Sequence, residues 1–119
     1  MSKYKAKRTE VDGIVFASMK EARRYQELKL LQRAGEIRKL ELQPVFELHA
    51  PTMDDDEPLP KPQERLGCYR GDFSYEQRHP ADKSSWYSVV EDVKGFKTPL
   101  YRWKKKHVEA QYGIQIRET

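Results

Sequence analysis

Two segments with helical periodicity, each marked at both ends, bracket a stretch that alternates with a period of two. The first starts at Ser18, an N-cap residue with Glu21 three places on, and carries Ala22, Tyr25, Leu28, Leu31 and Ala34 to a stop at Gly35. The second opens at Thr98-Pro99, runs to Tyr112 and closes at Gly113. Between them Leu40, Leu42, Phe46 and Leu48 alternate around Pro44, as in a strand that bulges or breaks there. Tyr69 to Glu76 and Trp86 to Lys94 read as two further strands joined by a polar hairpin connection, and Ile114 to Glu118 as a last one. Ahead of the first helix, Asp12-Gly13 marks the turn of a short hairpin over Val11 to Phe16. These elements predict an α/β fold: one domain over 1–119, a mixed central β-sheet flanked by helices, in the order α-β-β-β-α-β. A chain of 119 residues is long enough for one modest core and too short for two.

Residues 50–66, APTMDDDEPLPKPQERL, are rich in proline and acid without apolar periodicity, and are expected to form a mobile loop. The acidic run lacks the glycine and ligand spacing of a calcium loop. No stretch is long and apolar enough to span a membrane and MSKYKAKRTE has no signal-peptide core, so a cytoplasmic protein is expected. The single Cys68 excludes an internal disulfide and a cysteine zinc cluster.

A net charge of +4 is too small to establish a nucleic-acid partner, and its distribution is more telling. Lys3, Lys5, Lys7 and Arg8 crowd the basic segment 1–10, and Arg102, Lys104, Lys105, Lys106 and His107 crowd the second helix. Solvated surface explains such runs, and so does phosphate contact. On the second helix Leu100, Trp103, His107 and Ala110 approximate one face, which would anchor the helix and leave the basic side for a partner. Lys97, just ahead of the helix N-terminus, is either a surface lysine or a phosphate contact.

Charged residues in the strands need a reason. Residues two apart in a strand share a face, so Asp92 and Lys94 project together, while Val89, Glu91 and Val93 project to the other side. If the neighbouring strand pairs with this one as a hairpin, Asp72 lies across from the Asp92 and Lys94 end. Two carboxylates meeting at a point suit a hard divalent cation such as Mg2+, and a lysine beside it could help deprotonate an attacking water. By spacing alone, an ordinary cross-strand salt bridge is favoured over a metal site. Glu21 shares the stripe of Tyr25 and Leu28 and could join the site, although Ser18 to Glu21 also forms a sufficient capping box.

Helix-borne Glu21, Asp72 in GDFSY and Asp92-Val93-Lys94 in VVEDVKG, followed by a basic helix and a final strand, resemble the PD-(D/E)XK nuclease superfamily. More closely, VDGIVFASMKEARRYQELKLLQRAGEI, LELQPVFEL and VVEDVKGFKTPLYRWKKKHVEAQYGI are similar to a family of small phage and prophage proteins assigned to that superfamily. The likeness covers nearly all of the chain outside 50–66. It implies a restriction-endonuclease-like core and a Mg2+- or Mn2+-dependent site that cuts DNA. Asp72 and Asp92 would be the two strand acids that bind metal, Lys94 the lysine of the motif, and Glu21 the first-helix glutamate found in many members, Holliday-junction resolvases among them. Gly71 stands where the best-known form has proline, and Glu91 beside Asp92 leaves two registers, of which only Asp92 has the two-residue spacing to Lys94.

The expected activity is therefore metal-dependent, structure-selective hydrolysis of DNA in phage DNA processing or recombination, inside the bacterial host cell. Lys5, Lys7, Arg8, Lys97, Arg102, Lys105 and Lys106 would grip the backbone without reading bases. A homodimer would follow if two matched cuts need two sites. The alternatives are a catalytically silent DNA-binding or accessory protein on the same fold, and a protein that binds a host enzyme through Tyr101, Trp103 and Tyr112.

Overall fold

A computed structural model describes residues 7–50, 65–93 and 97–119. Asp12 and Gly13 both adopt positive φ, 54° and 76°, the conformation that a two-residue turn between right-twisted strands requires. They close the hairpin of β1 (Thr9–Val11) and β2 (Ile14–Phe16), and the Tyr25 hydroxyl donates to Asp12 Oδ2 at 3.1 Å, tying that turn to the first helix. Helix α1 (Met19–Arg33) starts where the Glu21 N–H reaches Ser18 Oγ at 3.1 Å and stops at Ala34, followed by Gly35 at φ 81°. Its buried stripe is Ala22, Tyr25 and Leu28. Leu31 and Ala34, expected on that stripe, are exposed.

Then come β3 (Ile37–Leu42), β4 (Val45–His49), β5 (Arg65–Arg70), β6 (Phe73–Arg78), β7 (Trp86–Asp92), helix α2 (Pro99–Tyr112) and β8 (Ile116–Glu118). A four-stranded sheet has the order β3-β6-β7-β8: β3, β6 and β7 are antiparallel neighbours and β8 runs parallel to β7. β4 and β5 pair with each other outside that sheet. The fold is thus a single-domain α/β arrangement with a mixed sheet and two helices, as expected at that level.

Several boundaries differ from those expected. The period-two run around Pro44 is two strands in two sheets, with Gln43 at φ 52° turning the chain between them. The segment expected as one strand over Tyr69 to Glu76 is broken at Gly71 and Asp72. Gly71 is buried, and its N–H donates to Pro44 O at 2.9 Å. A Cβ there would meet Val90 Cγ1 at 3.0 Å, so neither proline nor a larger residue fits without a shift. Arg65 and Leu66, assigned by sequence to the mobile loop, belong to β5, whereas 51–64 lie outside the described residues. Ile114 packs against the core ahead of β8 without joining it.

Alternate residues of β7 feed two cores. Val89 joins Phe16, Ala22, Tyr25, Leu28, Ile37, Phe73, Tyr75 and Val93 under α1. Val90 joins Leu48, Tyr69, Tyr101, Val108 and Ile116 under α2. Each such fully buried aliphatic side chain contributes about 1.5–3 kcal/mol. Tyr101 and Val108, seven apart, are the buried residues of α2, so the face expected to anchor it is the wrong one: Leu100 and Trp103 are 61% and 51% exposed. No helix among the described residues is long and apolar enough to cross a membrane.

Candidate active site

Asp72 sits in the break between β5 and β6, where the chain leaves one ladder for the other. Backbone contacts hold it on both sides: its N–H donates to Glu91 O and its carbonyl accepts from Gln43 N–H, each at 2.9 Å. Its Oδ2 accepts from the Val93 N–H at 2.6 Å. The β6/β7 register, Phe73 opposite Glu91, carries Asp72 to the end of β7, where Asp92 is 1% exposed. Asp92 Oδ2 accepts a hydrogen bond from the buried Tyr69 hydroxyl.

The two aspartates are in electrostatic contact. Burial pushes Asp72 up to about 7; the Val93 N–H opposes this, while a hydrogen bond shared with Asp92 and the charges of Glu21 and Asp92 add to it. Glu21, half-buried at the first turn of α1, lines a cavity of about 190 Å³ together with Asp72, Gln43, Phe16, Leu42 and Phe73. Asp72 therefore has Glu21 and Asp92 as its acidic neighbours. Among the described residues no group of three or more His, Cys, Asp or Glu forms a ready metal cage. Two adjoining carboxylates are nevertheless a donor set that magnesium accepts, since it retains several waters and takes one or two carboxylates. Lys94 and Lys5 lie outside the described residues.

Glu91, the other acid of the pair, points away. It is fully buried, and Arg24 grips it bidentately, Nε to Oε1 at 2.6 Å and Nη2 to Oε2 at 2.8 Å. Tyr75 also donates to it, and Thr119 Oγ1 lies 3.3 Å from Oε1. Burial alone would raise its pKa, but the hydrogen bonds from Arg24 and Tyr75 prevail and hold it below the usual glutamate value. This ion pair fastens α1, one turn beyond Glu21, to the strand that carries Asp92.

The basic residues divide into two sets. Lys7, Arg8, Arg102 and Lys106 are exposed. Lys97 and Lys105 instead converge on Glu118 of β8, at 3.2 and 2.9 Å, with the Tyr101 hydroxyl also donating to it at 3.1 Å. The Lys105 bond above all, helped by Lys97 and Tyr101 against a smaller burial effect, lowers Glu118 to about 2. His107 contacts His49 O at 3.0 Å and is a packed residue of the α2 interface with β4.

Arg24, Tyr69, Tyr75, Glu118 and Gln43 are site residues that carry no local mark in the sequence. Gln43 adopts φ 52° on the cavity wall, against the extended backbone that a following proline favours, so its place there could not be read from the Gln43-Pro44 step. The others acquire their roles only through strand pairing.

The chain belongs to the family described as "Protein of unknown function (DUF1064)", whose model matches residues 1–119. No curated protein matches it, and no solved structure does.

Proposed function

We propose that the protein is a metal-dependent DNA endonuclease of the PD-(D/E)XK type that cuts branched DNA or nicks duplex DNA in phage DNA processing or recombination. The observation that carries this reading is the contact between Asp72 and Asp92 beside Glu21, with Asp72 pushed up to about 7 by burial and by its acidic neighbours. Buried acids held against one another repel once both are ionised, and a bound cation relieves that repulsion. The topology supports it as well. Without the β1–β2 and β4–β5 hairpins, the order α1-β3-β6-β7-α2-β8 reads α-β-β-β-α-β, the order expected of a restriction-endonuclease-like core.

Asp72 and Asp92 would hold Mg2+ or Mn2+, with Glu21 at the edge of the site. Such an ion, when bound, supplies Lewis-acid stabilisation of the charge that builds on a phosphate under attack. The chain itself fixes the two aspartates, Asp72 through three backbone hydrogen bonds and Asp92 through the Tyr69 hydroxyl. Lys94, assigned from the sequence, would assist the attacking water. Lys7, Arg8, Arg102 and Lys106 would grip the phosphate backbone, with Lys5, Lys97 and Lys105 adding to it. A chain of 119 residues has little room for base-reading loops, which favours selection by DNA structure.

The test is cleavage of supercoiled plasmid and of a labelled four-way junction in magnesium or manganese, by wild type and Asp92→Ala. Metal-dependent cutting by wild type, reduced at least about a hundredfold in the variant, is the expected result. If folded wild type cuts neither substrate, the proposal fails.

A further inference from the structure

Helix α2 turns Leu100, Trp103 and Ala110 to solvent, three of the four residues expected to anchor it. Leu100 and Trp103 are exposed, and the Trp103 ring rests on His107 with centroids 5.3 Å apart. These three follow one another at helical spacing, roughly 10 Å from end to end. Beside them runs a second row, Arg102 and Lys106, four residues apart and exposed. No ion pair among the described residues holds Arg102, Lys104 or Lys106, and the first acid of the helix is Glu109. The other tryptophan is occupied: the guanidinium carbons of Arg38 and Arg78 lie 4.3 and 4.7 Å from the Trp86 ring centroid.

We infer that this face of α2 binds an unpaired nucleic-acid strand, a base stacking on Trp103 while neighbouring phosphates pair with Arg102 and Lys106. An exposed aromatic ring beside a cationic row is an arrangement by which proteins hold single strands regardless of sequence. A second copy of the chain fits the same face poorly, because self-pairing would oppose the two basic rows. The inference rests on the proposed nucleic-acid substrate and narrows it to DNA with an unpaired segment.

The experiment uses Trp86→Phe protein, in which Trp103 is the sole tryptophan, titrated in EDTA with oligo-dT, with an abasic strand of equal length, with oligo-U and with duplex DNA. Oligo-dT is expected to quench the fluorescence, and the abasic strand to bind more weakly without quenching. Trp103→Ala should weaken oligo-dT binding about 5- to 100-fold and leave duplex binding within about twofold, with Trp103→Phe recovering most of the loss. Quenching by oligo-U would keep the stacking surface and extend it to RNA. Unchanged fluorescence at saturating oligo-dT, equal binding of the abasic strand, or an equal loss on duplex would overturn the inference. Cleavage in manganese is scored separately. Base-dependent quenching without cutting leaves this surface standing and removes the nuclease, whereas cutting without quenching removes this surface alone.

Discussion

Glu91 and Asp92 are adjacent, both are buried, and they point to opposite faces of β7 into different surroundings. On the α1 side, Glu91 meets a guanidinium, a phenol and a hydroxyl, and is held ionised. On the other side, Asp92 meets a phenol and a second aspartate whose proton is retained to about pH 7. A buried carboxylate whose charge is matched within the chain is part of the framework. Two that face each other leave a charge deficit that an ion from solution can fill.

Breaking the first arrangement should have the largest effect on stability. Glu91→Ala leaves the Arg24 guanidinium, 21% exposed, beside the core without its partner. Urea denaturation should show a loss of about 3–5 kcal/mol, the range for removing one member of a buried pair. A loss within experimental error would mean that Glu91 contributes no more than a surface ion pair.

The second arrangement should appear in the pH dependence. Asp72 titrates near 7 in the folded chain against an ordinary 3.8, so the folded state keeps a proton that the unfolded state releases. This contribution is greatest at the acid end and declines as pH rises, being lost once the pH has passed through about 7. Metal-free protein should therefore lose on the order of a few kcal/mol between roughly pH 4 and 7 from this group. Asp72→Asn should flatten that part of the profile in thermal melts. An identical slope in the variant would assign the titration elsewhere.

A smaller effect is expected at Glu118, paired like Glu91 yet only half-buried and facing the basic residues. Glu118→Gln frees Lys97 and Lys105 for phosphate. Affinity for duplex DNA at low salt should rise about two- to fivefold, with a steeper dependence on salt. Unchanged affinity would show that these two lysines do not reach the DNA.

What could be read from the chain follows from where its signals are local. Asp12-Gly13, the Ser18 and Thr98 caps and the stops at Gly35 and Gly113 act within a few residues, and each appears in the structure. The alternation of Val89 to Asp92 separates the two acids by face for the same reason. Period two does not say which ladder a strand joins, so the β4–β5 hairpin and the break at Gly71 were hidden. Helical periodicity likewise marks an apolar stripe without saying which stripe the sheet covers. On α2, Tyr101 and Val108 win because the Tyr101 ring packs into the second core while its hydroxyl reaches Glu118. Within the site, Asp72, Asp92 and Glu21 were nameable from spacing and resemblance. The partners of those acids, Tyr69 and the backbone around Gln43, depend on pairings across more than twenty residues.

The most direct test of the contrast between the two faces of β7 is thermal denaturation with and without manganese, for wild type, Asp92→Ala and Glu91→Gln. Ligand bound only to the folded state at a hundred times its Kd adds about 2.7 kcal/mol, several degrees in Tm for a domain of this size. That shift is expected in wild type and in Glu91→Gln, from a lower starting Tm in the latter, and none in Asp92→Ala. A wild-type Tm that manganese leaves unmoved, or an equal rise in Asp92→Ala, would contradict that contrast.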